Sequence, residues 1–153
     1  AHMSVDELDT LFNKRSGMMG LTGFGDLREV HRLVEEGNED AKLALDIYVH
    51  RIVGYIGNYT AQMGGVDVIT FTAGVGENDD VVRKMVCDKL APFGVKLDEE
   101  KNATRSKEPR IISTPDSAVT ICVIPTNEEL AIARKSAAIA EEGKDSYGNV
   151  FSK

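Results

Sequence analysis

The stretch Val68-Ile69-Thr70-Phe71-Thr72-Ala73-Gly74-Val75-Gly76-Glu77-Asn78 decides how this sequence is read. An apolar, β-branched run, suited to a strand, ends in Gly74-Val75-Gly76. The polar pair Glu77-Asn78 then leads into a helical pattern from Asp79. Glycine has no Cβ to hold a ligand off the backbone, and a helix start presents unpaired N–H groups. Strand, glycine turn and helix in that order form a shelf for a nucleotide at the carboxyl end of a parallel strand. The pattern is common in α/β proteins, and a lone G-x-G leaves an ordinary βα loop equally open. On that bland reading Glu77 is a solvated first-turn acid and Asn78 a helix cap.

A second strand is expected over residues 119–124, an unbroken apolar run of the kind buried in parallel sheets. Pro125-Thr126-Asn127-Glu128-Glu129 follows it. Thr126 and Glu129 have capping-box spacing for a last helix reaching about Glu141. Glu128 is not needed for that box, and a carboxylate facing the same crevice suits Mg²⁺, which takes one or two carboxylates with phosphate oxygens and waters.

Upstream of the deciding stretch the pattern is helical. Ser4 and Glu7 form a capping box before Leu8, Leu11 and Phe12. Gly17 and Gly20 then break the pattern, so Met18, Met19 and Leu21 are expected as an apolar patch on an irregular segment, packed in a core or an interface. Asp26 and Glu29 repeat the box for a helix burying Leu27, Val30, Leu33 and Val34, with Gly37 as its stop. Arg28 in that first turn opposes the helix dipole, which calls for a partner, either a carboxylate or a ligand's aromatic ring.

From Asn38 a helix of about 25 residues is predicted, with Ala41, Leu45, Tyr48, Ile52, Tyr55, Tyr59 and Met63 recurring on one face. Gly64-Gly65 ends it. His31 and His50 have no nucleophile or metal partner in sequence reach and read as packing or surface residues. Downstream, a helix over about 80–90 stops at Pro92 and Gly94, and residues 95–97 and 110–113 are short strand candidates.

The fold class is therefore α/β, with helices around a small, mostly parallel sheet. Two or three strands leave unpaired edges, which points to a missing partner segment. Ala1-His2-Met3 reads as a cloning scar, residues 4–142 as the folded unit, and 143–153 as a polar tail. A chain of 153 residues is long enough for one domain with its own core. A net charge of −7 with no dense basic run argues against a general nucleic-acid or anionic-membrane surface. No apolar run is long enough to span a bilayer, and no signal peptide precedes the first helix. Cys87 and Cys122 lack metal-ligand spacing and are expected as buried free thiols in a reducing, cytoplasmic setting.

Several blocks together carry a resemblance. Phe71-Thr72-Ala73-Gly74-Val75-Gly76-Glu77-Asn78 resembles the F-T-x-G-[IV]-G-E-N signature of acetate kinases. Ile124-Pro125-Thr126-Asn127-Glu128-Glu129-Leu130 resembles that family's closing P-T-N-E-E-L block. Lys14-Arg15-Ser16-Gly17 with Gly20-Leu21 is similar to its K-x-S-G-x-x-G-[LV] segment. Residues 97–102 and 112–116 match further blocks in the same order, so the resemblance runs from Val5 to about Ala140.

The resemblance implies a part of the carboxyl-terminal lobe of an acetate and sugar kinase/Hsp70/actin superfamily protein, an RNase H-like, actin-like ATPase lobe. Such enzymes transfer the γ-phosphoryl group of ATP to acetate reversibly, giving ADP and acetyl phosphate, with Mg²⁺. By the same resemblance Gly74, Val75, Gly76, Glu77 and Asn78 would bind nucleotide. Asp26, Leu27 and Arg28 match the family's D-x-R adenosine-contact segment, although Gly23-Phe24-Gly25 departs from its Ser/Asn-rich lead-in. Glu128 matches the glutamate associated with Mg²⁺.

The family's amino-terminal lobe, catalytic arginines, acetate-pocket residues, catalytic aspartate and H-x-G-x-G turn have no counterpart in these residues. No catalytic residue is therefore assigned in this segment, and it is expected to be inactive alone. The acetate site would come from the missing part, and a homodimer would form through the carboxyl lobe. The rival expectation is a structural or dimerisation segment without nucleotide binding of its own. A generic nucleotide-binding regulator is a third.

Overall fold

The computed structural model of this chain describes residues 2–142. The polar tail expected over 143–153 lies outside the described residues. Eight α-helices and three strands are present among them, in the order α1 (Val5–Lys14), α2 (Gly17–Thr22), α3 (Leu27–Glu35), α4 (Glu39–Met63), β1 (Val68–Phe71), α5 (Ala73–Asn78), α6 (Asp80–Lys89), α7 (Glu99–Ala103), β2 (Arg110–Ile111), β3 (Thr120–Val123) and α8 (Glu128–Glu142).

The two strands on either side of the helical crossover pair in parallel, with Val68 opposite Thr120 and Phe71 opposite Val123. β3 is central, and β2 adds antiparallel on its other side through Arg110 and Ile111. The sheet is thus mixed, with a parallel half in front of the site. Residues 95–97 do not form a strand; Leu97 makes only an isolated antiparallel bridge to Ser113.

One apolar cluster joins α3, α4, α6 and the two parallel strands, built on Val30, Leu45, Val49, Val86, Ile121 and Val123. Fully burying one such aliphatic side chain contributes about 1.5–3 kcal/mol, so this cluster fixes α4 and α6 against the strands whose ends carry the site. Cys87 lies within it at 3% exposure, and burial pushes its thiol up to about 12, leaving it inert. Cys122 is only half-buried.

The long helix has the predicted bounds, capped by Asn38, whose side chain accepts from the Ala41 N–H, and ended at left-handed Gly64. Its predicted inward face holds only in the first half. Tyr55, Tyr59 and Met63 are exposed, while Ile52, Val53 and Ile56 pack on the core and Thr60 is buried. The 3.6-residue repeat rotates the apolar stripe over so many turns, and Tyr55, stacked on Tyr59 and under the Arg51 guanidinium, forms an outer ridge.

Gly17–Thr22 is a short helix packed on α4 rather than an irregular segment. Gly17, at φ +58°, supplies the turn that lets it restart after α1. The Ser4–Glu7 capping box is formed in full. The expected Asp26–Glu29 box is a single cap, because Glu29 turns outward to pair with Arg32.

Candidate functional site

The glycine segment is not a turn feeding a helix at Asp79. It is itself a six-residue helix, α5, entered through Ala73 at φ +58° and left through Asp79, whose carboxylate caps α6 by accepting from the Val82 N–H at 2.9 Å. Ala73 is the one non-glycine residue with positive φ among the described residues, a conformation that costs an L-residue about 1–2 kcal/mol. Ala73→Gly is therefore expected to stabilise the chain by about 0.5–1 kcal/mol after the added freedom of the unfolded chain is subtracted. A urea midpoint moved upward at unchanged slope is the check.

Within α5 the two glycines differ. A Cβ on Gly76 would lie 3.2 Å from the Phe71 carbonyl carbon, so Gly76 is needed for packing against β1. A Cβ on Gly74 would meet nothing within 4 Å. Gly74 instead floors two recesses that meet at it. The larger, about 1100 Å³, is lined by Asp26, Leu27 and Arg28 on one wall and by Gly74, Val75 and Asn78 on the other. The smaller, about 410 Å³, is lined by Gly74, Glu77, Thr126, Asn127, Glu128 and Glu129. Residues some fifty positions apart in sequence thus line two recesses that share Gly74.

The partner that Arg28 called for is Asp26. The Asp26 carboxylate accepts from the Arg28 backbone N–H at 2.9 Å and from its guanidinium at 3.1 Å (Nε) and 2.6 Å (Nη2). Those hydrogen bonds hold the Asp26 carboxyl down at about 2. The Arg28 side chain is 90% exposed, so its guanidinium is paired on one edge and open to solvent elsewhere.

At the other end, Glu77 is committed to the protein. Its Oε1 accepts from the Thr126 N–H at 2.8 Å and from the Thr126 hydroxyl at 3.1 Å, chiefly the former holding its carboxyl below the usual range. Thr126 is thereby drawn away from the helix, and the expected Thr126–Glu129 box does not form. Asn127 caps α8 instead, its side chain accepting from the Leu130 N–H at 2.9 Å. Glu128 has no hydrogen bond or ion pair among the described residues and opens onto the smaller recess. No group of three or more His, Cys, Asp or Glu side chains suited to a metal occurs there. A single exposed carboxylate there could serve only a cation that takes few protein ligands, the class to which Mg²⁺ belongs.

A sequence model of the acetokinase family matches residues 1–134. The chain belongs to the acetokinase family. It is 54% identical over 136 residues to the acetate kinase of Leifsonia xyli subsp. xyli, covering 89% of this chain and 34% of that protein. It is 53% identical over 137 residues to that of Desulfotalea psychrophila, covering 90% and 34%. The crystal structure of Porphyromonas gingivalis acetate kinase superposes with a TM-score of 0.80 at 41% identity, covering 91% of this chain and 35% of that one. A propionate kinase from Francisella tularensis subsp. tularensis superposes at 0.77 and 39%, covering 86% and 33%. The chain spans about a third of the length of the relatives it matches.

This acetokinase-family segment uses residues in its cleft that the sequence pattern assigned elsewhere. Met18 and Leu21, expected in a core or interface, line the larger recess, as do Tyr48 and Arg51 of α4. Burial first, and then the Asp79 charge, push the Tyr48 phenol up, so it stays a neutral hydrogen-bonding group at the cleft wall. His31 does have a partner, Asp79, at 2.7 Å. That contact ties α3, which carries Leu27 and Arg28, to the residue that ends α5. Helical spacing could have exposed Met18 and Tyr48 as partly apolar faces, but nothing in the sequence links His31 to a residue 48 positions away.

Proposed function

We propose that this chain is the carboxyl-terminal, nucleotide-binding part of an acetate kinase, a partial RNase H-like lobe whose parent enzyme transfers the γ-phosphoryl group of ATP to acetate in the cytoplasm. The observation that carries this reading is the junction at Gly74, where the cleft beside Asp26, Leu27 and Arg28 meets the recess below Glu128. Adenosine would lie in the larger recess, with the outer face of the Arg28 guanidinium against the base and the bare backbone at Gly74, Val75 and Gly76 beneath it. The Asn78 amide, which donates to the Gly74 carbonyl at 2.8 Å, keeps that floor in shape.

The phosphates would then run over Gly74 toward Glu128, where Mg²⁺ when bound would neutralise charge on the phosphoryl oxygens. Phosphoryl transfer needs donor and acceptor held in line and the transferred charge countered. This segment serves the first need on the donor side: it orients the nucleotide and excludes water from the base. Acetate and the groups that counter the transferred charge belong to the remainder of the parent, so the segment alone turns over no substrate. Pairing of two copies through this lobe is part of the same reading, with Tyr55, Tyr59 and Met63 supplying exposed apolar surface.

Calorimetric titration with ADP in the presence of Mg²⁺ tests the reading. Heat of binding is expected, and Glu128→Gln is expected to weaken it about fivefold, roughly 1 kcal/mol, with the Mg²⁺-free titration unchanged. Absence of heat would leave a structural or dimerisation segment as the better description.

A further inference from the structure

The most deeply buried charge in the described chain is not in the cleft but behind it. Arg83, on α6, is 2% exposed. Its Nε donates to Asn102 Oδ1 at 2.7 Å, Nη2 donates to the Asn102 backbone carbonyl at 2.7 Å, and Nη1 donates to the Gly76 carbonyl at 2.9 Å. Asn102, itself 4% exposed, is fixed in turn by donating from Nδ2 to the Asp80 carbonyl at 2.9 Å. No carboxylate stands within ion-pair distance of Arg83 among the described residues.

A buried guanidinium with only neutral partners is a poor way to gain stability, since a well-packed apolar side chain of similar volume serves as well or better. What the guanidinium provides is geometry. Its planar fork reaches three acceptors at once, on α5 and α7, from a single point on α6. The acceptor on α5 is the Gly76 carbonyl, one of those left without an intrahelical partner at the end of that helix. A six-residue helix does not hold itself in water, so the shape of α5 is set by its outside contacts.

We propose that Arg83, locked by Asn102, is a positioning residue that holds the Gly76 peptide, and with it the Gly74–Gly76 floor, in the form that accepts a nucleotide. The claim rests on the nucleotide-binding reading of this cleft and adds to it a residue that touches no ligand. Arg83→Lys is the informative variant, because an ammonium keeps the charge but cannot span Gly76 and Asn102 together.

The experiment compares the whole 153-residue chain with Arg83→Lys and with the core variant Ile112→Val. It measures MgADP affinity, melting temperature, and the backbone amide resonances of the ligand-free proteins. Expected for Arg83→Lys are about tenfold weaker MgADP binding and shifted or broadened amides from Gly74 to Glu77, with those of β3 unmoved. Ile112→Val is expected to bind as the parent does. Unmoved α5 amides and unchanged affinity in Arg83→Lys would overturn the proposal. So would an equal affinity loss in Ile112→Val, which would make the role merely structural. Should Arg83→Lys fail to fold, Asn102→Gln, which keeps the amide but displaces it, carries the same two readouts. If the parent chain does not bind MgADP, the nucleotide reading falls, while the ligand-free amides still decide whether Arg83 holds α5.

Discussion

Replacing Gly74 with valine is expected to leave the melting temperature within a couple of degrees of the parent while weakening MgADP by roughly thirtyfold, or about 2 kcal/mol. The first half follows from the empty space around that position: an added Cβ meets no atom within 4 Å, and the backbone there is ordinary. The second half follows from where that space lies. Gly74 is the residue common to both recesses, so any side chain there occupies the crossing between the adenosine side and the Glu128 side. Forcing added carbons into a filled contact typically costs about 1–3 kcal/mol.

Gly76 is the less informative position. Its Cβ would press on the β1 backbone at Phe71, and a loss of binding there would mix misfolding with blocked access. Calorimetry and a thermal melt on the same Gly74→Val sample make the check. Unaltered affinity would mean that nothing approaches the backbone at this point. A fall in melting temperature matching the loss of affinity would mean that Gly74 serves the fold.

That contrast between two glycines two residues apart marks the limit of what the sequence makes legible. The parallel pairing of residues 68–71 with 120–123 was readable because both runs are apolar and flanked by helical periodicity. The bounds of α4 were readable from Asn38 and Gly64, which have the local chemistry of helix ends. Asp26, Arg28, Gly74 and Asn78 line one recess, a convergence that comes from the fold and not from their spacing in sequence.

What escaped depends on through-space contacts. Thr126 has the spacing of a helix cap, but a carboxylate 49 residues earlier competes for it and Asn127 takes the role. His31 reads as an isolated histidine until α3 and the end of α5 come together. The outward turn of Tyr55 and Tyr59 follows from helix phase accumulated over many residues, which no short window reports. Arg83 reads as a polar position in a helical stretch and Asn102 as one in a polar segment between strand candidates, since burial is a property of the assembled core.

Asn102→Ala carries the largest expected cost to stability, about 3–5 kcal/mol. The substitution removes the Oδ1 that accepts from Arg83 Nε and the Nδ2 that donates to the Asp80 carbonyl. Arg83 Nε is enclosed and loses its partner without gaining water, while the Asp80 carbonyl is only part-buried. Leaving a buried polar group unsatisfied costs about 1–3 kcal/mol, and more when that group is charged, with the lost packing of the Asn102 side chain added to it. Burial already lowers the Arg83 pKa from arginine's ordinary value, and the nearby positive charge of Arg110 adds to that strain on the charged form. In a chain of this length 1 kcal/mol moves the melting temperature by roughly 2–4 °C, so a fall on the order of 10 °C should be seen.

A double-mutant cycle separates this mechanism from a simple cavity. In an Arg83→Met background no guanidinium remains to be orphaned, and Asn102→Ala should then cost only the Asp80 contact and the lost packing. A coupling of about 2–3 kcal/mol between the two sites is expected from chemical denaturation. Additive effects would show that Asn102 matters only for its Asp80 contact and its packing, and that the fork behind Gly76 holds nothing in place.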